Sequence, residues 1–393
     1  MSVRSVTCPR HTVAVLYLDH AATTPIRPEA REAMGPYLDG AFGNPSGIHA
    51  VSRRAKNALE EARERLAELL EAAHPLDVVF TGGGTESDNL GVAGPALAGG
   101  MRGGVVTSSV EHGAVLETAR FLGRMGCEIR MVPVDLYGRV TPESVANSIG
   151  QGTRVVSVMA ANNETGVVQP VAEIATTVRA GARSAVVHTD AVQALASRRV
   201  GMRSLGVDLL TVASHKVGGP KGVGALVVSR DIELEPTVHG GGQELGRRSG
   251  THDVAGIVGM VAAVEAAVAD RARFVSDVGE ARRRFESSLL TDVPDAVLTI
   301  GDRADRLVQH SHFRIPGIAA ETLLIRLDAA GIAASAGSAC QSGAIEVSHV
   351  LRAMGMSDAE ASECVRFTFG WTSVPGDGDD AAAAVAAVVK DLR

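Results

Sequence analysis

The chain has 393 residues, of which 45% are hydrophobic and 21% charged; 38 Lys and Arg against 45 Asp and Glu give a formal net charge of −7. That composition excludes a disordered or collagen-like chain, and with no long run of either sign, direct nucleic-acid binding is not expected. No apolar stretch reaches the ~18 residues of a membrane span. The four cysteines (Cys8, Cys127, Cys340, Cys364) show neither paired nor metal-ligand spacing, which points to a reduced, cytoplasmic setting.

Residues 1–16 carry basic residues and an apolar patch too short for a signal peptide, and read as a disordered extension. Residues 50–73 (AVSRRAKNALEEARERLAELLEAA) put leucine and alanine on one helical stripe. The chain then alternates valine-rich runs with amphipathic stretches. DVVFTGGG, GGVVTSSV, EIRMVPV, RVVSVMAAN, SAVVHTDA, DLLTVASHK and VGALVVSR read as seven buried strands, separated by helical segments such as TESDNLGVAGPAL, VLETARFLGRM and VAEIATTVRAGA. This alternation predicts an α/β fold with a mostly parallel sheet covered on both faces. After about residue 230 a glycine-rich turn (HGGGQELGRRSGT) leads into an alanine- and valine-rich helix and then weaker strands and helices. The expected organisation is an N-terminal extension or small-domain segment over residues 1–18, a large α/β domain over 19–265 and a smaller α+β domain over 266–393, which carries the Cys340 loop. The acidic GDGDD at 376–380 reads as a solvated helix start.

In an open α/β sheet, ligands bind beyond the carboxyl ends of the strands, so the polar residues there carry the functional reading. Thr81-Gly82-Gly83-Gly84-Thr85-Glu86 ends one strand and opens a helix. Its glycines and the Thr85 hydroxyl suit an anion at a helix N-terminus, although a plain helix cap would read the same way. Asp190 closes the strand SAVVHTDA, with Gln193 three residues on; it is either an N-cap or the partner of a protonated ring nitrogen. The chain has just four lysines, Lys56, Lys216, Lys221 and Lys390. Lys216 follows the strand DLLTVA within SHKVGGPKG, where a Schiff-base lysine would stand. Its pKa of about 10.4 would have to fall roughly three units, equivalent to ~4 kcal/mol. The bland alternative is a snorkelling lysine. His112 and the Asn162-Asn163-Glu164 run sit at other strand ends, where a structural histidine and turn chemistry are the ordinary readings. Cys340, in the small-residue run SAGSAC, has the setting of an exposed, reactive thiol rather than a buried apolar one. A thiol, a candidate Schiff-base lysine, an aspartate and a phosphate cup together select pyridoxal 5'-phosphate with covalent sulfur chemistry.

With these motifs in place, the chain resembles the cysteine desulfurases of the class V aminotransferase family, fold-type I pyridoxal-phosphate enzymes, in the branch associated with nitrogenase and iron–sulfur assembly. The resemblance runs from YLDHAATTP (17–25) through FGNPSGIH, FTGGGTESDN, SSVEHGAV, NNETGVVQP, HTDAVQA, SHKVGGPKG, HGGGQELGRRSGT and GSACQSGAIEVSHVLRAMG to VRFTFG. It implies conversion of L-cysteine to L-alanine, with the sulfur captured as a persulfide on Cys340 and passed to an acceptor protein serving iron–sulfur assembly, tRNA thiolation or DNA phosphorothioation. Lys216 would hold the cofactor covalently, Asp190 would meet its ring nitrogen, Gln193 its ring hydroxyl, and His112 would stack on the ring. Gly84, Thr85, Ser214 and His215 would bind phosphate, Asn163 would meet ring or substrate, and Asn44 and Arg366 would hold the substrate carboxylate. Thr251 would reach the phosphate of a second subunit, making a homodimer. The chain departs from the pattern at Ala213, where relatives carry Ser or Thr, and at Leu245 and Trp371, where many carry arginine. A selenocysteine lyase or another fold-type I enzyme is the alternative activity; a plain transaminase has no use for the Cys340 thiol, and an inactive scaffold has none for the full residue set.

Overall fold

The computed structural model describes residues 15–100, 103–337 and 347–393. In chain order its strands are β1 (Leu16–Tyr17), β2 (Val78–Thr81), β3 (Gly104–Ser108), β4 (Ile129–Val132), β5 (Thr153–Ser157), β6 (Val186–Asp190), β7 (Leu209–Ala213), β8 (Gly224–Val228), β9 (Val297–Leu298), β10 (His310–Arg314), β11 (Ile332–Ala333) and β12 (Cys364–Thr368). The seven valine-rich runs form one sheet in the order β2-β8-β7-β6-β5-β3-β4. Neighbours from β7 through β4 pair in parallel, and β8 alone is antiparallel to both its neighbours. The expected α/β fold, mostly parallel and seven-stranded, is therefore present.

Because side chains alternate across a strand, each run supplies both faces. Val78, Phe80, Leu210, Val212, Ala225 and Val227 join one core with Leu66 of helix Ala50–Leu69, Ile174 and Val178 of helix Val171–Gly181, and Met260 and Val264 of helix Val254–Ala269. Val79, Leu209, Leu226 and Val228 face the other way, onto Leu90 of helix Gly84–Ala98. Burial on both sides is why these strands read as unbroken apolar runs. The run EIRMVPV is the exception. β4 is an edge strand with Met131 46% exposed, and Arg130 pairs along this edge with Glu128. A charged, partly exposed edge is what keeps a sheet from pairing with other chains.

A second core lies under the antiparallel sheet β12-β10-β9. Phe285, on helix Arg271–Asp292, is fully buried and meets the rings of Phe313, Phe367 and Phe369 at 5.8, 4.9 and 5.8 Å. Leu18 packs into the same core. The chain start is thus ordered earlier than the sequence suggested: Leu16 belongs to β1, parallel to β11, and its N–H donates to Gly331 O at 2.8 Å. Residues 1–14 of the expected extension lie outside the described residues. The GDGDD segment does open a helix, Gly376–Asp391, with Asp377 and Asp379 in its first turn, where carboxylates complement the helix dipole.

Replacing the central ring tests this second core. Phe285→Ala should lower unfolding free energy by about 3–5 kcal/mol through lost burial and a residual cavity. Chemical denaturation of the two proteins checks it, and a loss below about 1 kcal/mol would contradict the packing role.

Candidate active site

The carboxyl ends of β2, β3, β5, β6 and β7 converge on one cleft of about 380 Å³. Its lining includes Gly84, Thr85, His112, Asn163, Asp190, Gln193, His215, Lys216 and Arg366. Nine of the twelve predicted site residues within the described chain are therefore brought together. β12 delivers Arg366 from the antiparallel sheet, and the segment after β1 delivers Asp19, Ala21 and Ala22.

Each wall has a local cause. After β2, Gly83 takes φ +138°, a conformation that favours glycine, and helix Gly84–Ala98 starts with no side-chain cap. Its first-turn N–H groups at Gly84 and Thr85 are thus left for an anion. Glu86, in the same turn, is drawn off by Arg248 at 2.7 Å and by the Gly82 N–H at 2.8 Å. A Cβ on Gly84 would lie 3.1 Å from Val192 and 3.3 Å from Ala213, so this cradle has no room to spare. His112 caps the helix Gly113–Arg124, its Nδ1 accepting from the Ala114 N–H at 3.1 Å. A neutral His112 ring therefore carries its proton on Nε2. The structural reading is met at Nδ1, and the cap leaves Nε2 untaken on a ring that lines the cleft.

Lys216 Nζ donates to the carbonyls of Ala21 and Ala22 at 2.5 and 2.8 Å. Burial first, and Arg366 second, push its pKa down to about 8, most of the fall the sequence reading asked for. Asp190 accepts the Val192 N–H at 2.9 Å. Burial raises its carboxyl, against the pull of His112 and Lys216. His215 is lowered to about 4 by burial and the two neighbouring lysines, and its Nδ1 hydrogen-bonds Thr23 Oγ1 at 3.1 Å. Arg366 pairs with Asp19 at 2.6 Å and donates to Asn163 O at 2.8 Å, leaving its buried Nε unpartnered. Gln193 donates to Ala21 O at 3.0 Å.

Three predicted residues lie apart. Ser214 does not line the cleft. Its buried Oγ packs where a Cβ on Gly219 would stand, and Ala213 faces the cleft instead. Asn44 is exposed and its Oδ1 accepts the Ser46 N–H at 3.0 Å, so it makes a turn rather than a wall of this cleft. Thr251 is exposed and is not part of its own chain's cleft lining. Cys340 lies outside the described residues; the chain before it lines the cleft at Ser335 and Gly337. The other described cysteines, Cys127 and Cys364, are buried, and burial pushes Cys364 up to about 12. Lys221 is exposed and outside the cleft lining. Among described residues no cluster suits a metal ion, and no helix is long and apolar enough to cross a membrane. Sequence reasoning missed Asp19 and Asp88, both in the lining. Asp19 stood in the quoted YLDHAATTP, whereas Asp88 sits one turn into a helix, where an acidic residue reads as solvated.

A cleft of this kind, at the carboxyl edge of a doubly covered sheet, is the ligand site of an α/β enzyme. The chain belongs to the aminotransferase class-V family, whose model matches residues 16–374. The cysteine desulfurase IscS of Dictyoglomus turgidum is 39% identical over 379 residues, covering 96% of this chain and 95% of that protein. Among solved structures, a NifS-like protein superposes with a TM-score of 0.90 at 31% identity, covering 96% of this chain and all of that one. SspA, solved in complex with cysteine, gives 0.79 at 33% identity, covering 90% of this chain and 98% of that one.

The lowered lysine makes a pH-dependent prediction for the cofactor-free protein. A Lys216 that releases its proton near pH 8 in the folded state and near its usual 10.5 when unfolded destabilises the fold below pH 8. Stability relative to Lys216→Met should therefore rise from about pH 8 towards 10.5, by at most roughly 3 kcal/mol. Denaturant titrations across this range check the slope; a flat or falling difference would contradict the buried-lysine assignment.

Proposed function

We propose that the cleft holds pyridoxal 5'-phosphate and that the chain is a cysteine desulfurase, converting L-cysteine to L-alanine and capturing the sulfur on Cys340. The observation that carries this is a lysine lowered to about 8 between an uncapped helix N-terminus and the buried carboxyl of Asp190. The donor set fits the group at each end: N–H groups and the Thr85 hydroxyl for a phosphate, and a carboxylate for a protonated ring nitrogen. When bound, the cofactor supplies an aldehyde for amines and a ring that draws electrons from the substrate carbon.

This chain's residues supply the rest. Lys216 would hold the cofactor covalently, and its lowered pKa would make its free amine a base near neutrality. Arg366 takes the substrate carboxylate by exchanging its Asp19 partner, which a planar guanidinium can do with two parallel hydrogen bonds. His112 holds a proton at Nε2, and His215 and Thr85 bind the phosphate. Overall, the C–S bond of cysteine breaks, a proton replaces sulfur at that carbon, and a new S–S bond forms on Cys340. No external oxidant or reductant is needed. The acceptor is a protein that takes sulfur from the persulfide, and the setting is the cytoplasm.

We also propose a homodimer in which Thr251 reaches the partner subunit's phosphate. Thr251 lies outside its own cleft, and Leu245, Phe42 and Ile48 expose 68, 76 and 90% of their surface. Three such apolar side chains suit a covered face. Sedimentation should give a dimer, and Thr251→Ala should weaken cofactor retention. A monomer with full cofactor content would sink the dimer.

Two variants separate the halves of the chemistry. Lys216→Ala should hold no covalent cofactor and turn over no cysteine, while Lys221→Ala keeps both. Cys340→Ser should still bind the cofactor and change its absorption with L-cysteine, but lose alanine release by more than roughly a thousand-fold. Borohydride trapping with peptide mapping and an alanine assay read these outcomes. An active Cys340→Ser protein, or trapping on Lys221, would overturn the assignments.

A further inference from the structure

Beneath the cleft floor lies a chain of buried polar side chains that the proposed chemistry does not use. Ser157, His188 and Thr211, on β5, β6 and β7, are fully buried. Ser157 Oγ hydrogen-bonds His188 Nδ1 at 2.8 Å, and His188 Nε2 hydrogen-bonds Thr211 Oγ1 at 3.0 Å. Next comes Asp88, 1% exposed on helix Gly84–Ala98, lining the cleft beside Asp190. His188 and Asp190, two apart on β6, face the same side of the sheet, and Thr211 is the register partner of Asp190, so a carboxyl lying over His188 neighbours that of Asp190. Asp88 Oδ1 has no hydrogen-bond partner and sits 3.7 Å from His188 Nε2. The close fit is built in: a Cβ on Gly91, one turn further along the helix, would stand 2.8 Å from the His188 ring.

The charges in this chain have one consistent arrangement. Two neighbouring carboxyls, both out of water, disfavour each other's charge, so one of them holds the proton. His188 gives no compensating charge, because burial lowers it to about 3 and keeps it neutral. Around Asp190, by contrast, His112 and Lys216 favour the ionised form. The proton therefore rests on Asp88 and the negative charge on Asp190. A protonated carboxyl is a hydrogen-bond donor, and the ionised oxygen beside it is the acceptor.

Resting on the cofactor reading above, we propose that Asp88 is a positioning residue, a neutral carboxylic acid that donates to Asp190 and keeps its charge aimed at the cofactor's ring nitrogen. It does not touch the reacting atoms. Its role is to fix one oxygen of Asp190, as the Val192 N–H does, and to leave ionisation to the carboxylate that faces the ring.

Infrared difference spectra of the full chain at neutral pH, wild type against Asp88→Asn, test the proton directly. A band from a buried, protonated carboxylic acid should vanish in the variant, and its absence from the wild type would overturn the proposal. The role is tested by cofactor affinity and by the absorption of bound pyridoxal phosphate. Asp88→Asn keeps an N–H donor and should bind within a few-fold of wild type, with its absorption maximum unmoved. Asp88→Val removes the donor and should bind roughly ten- to a hundred-fold more weakly, with a shifted maximum. Wild-type affinity in Asp88→Val, or equal impairment in Asp88→Asn, would overturn the positioning role. A wild-type protein that takes up no cofactor would instead fail the reading in the previous section, and the infrared comparison would still decide where the proton lies.

Discussion

A parallel sheet brings the carboxyl ends of its strands to one edge, and the chain must leave that edge through loops whose polar groups lack ladder partners. Here β3, β5, β6 and β7 end side by side, and the residues that follow are His112, Asn163, Gln193 and Lys216. Functional groups 104 residues apart along the chain, His112 and Lys216, thus share a wall without any local sequence relation. The antiparallel β8 serves the same constraint. It lies between β7 and β2, so the uncapped helix after β2 opens on the same edge.

Enclosing so many ionisable groups costs energy, and the site balances it by opposite charge. Burial and Arg366 disfavour the Lys216 cation, while Asp190 and Asp19 oppose that effect. Glu111, beside His112 in sequence, is fully buried and pushed up to about 8; Ser108 Oγ and the Met159 N–H both donate to its Oε1. It is therefore a neutral acid near pH 7, adding little field to the cleft. The effective charges are those facing the cavity, where a low-dielectric setting makes each interaction count for more than at the surface.

The seven central strands were legible because double-sided burial leaves a valine-rich signature that turns and helices interrupt. β4 shared the composition but not the burial, since edge position is set by pairing order, which no local pattern reveals. The candidate site was legible where its lining coincides with strand ends, as at Asp190, Lys216 and His112. It was not legible where direction decides. Ser214 and Ala213 are adjacent, yet a strand end sends them to opposite sides, and the smaller residue faces the cleft. Asp88 was hidden for another reason: an acidic residue in a helix reads as solvent-facing until the sheet beneath it is known.

The segment from Asp19 to Arg27 joins these parts physically. Ala21 N–H is bonded to Thr368 Oγ1 at 2.9 Å on the strand that carries Arg366, while Ala21 O accepts from both Lys216 and Gln193. Thr24 N–H and Oγ1 donate to His215 O at 3.1 and 2.8 Å, and Arg27 reaches Val217 O and Asp270 at 3.1 Å each. One short stretch of backbone therefore ties the lysine loop, Gln193 and the arginine strand together. Carbonyls are acceptors that favour the ammonium form of Lys216, yet its pKa still falls, so burial and Arg366 outweigh them. The result is an amine held in place by two acceptors and disposed to give up its proton, which is the combination a lysine nucleophile needs.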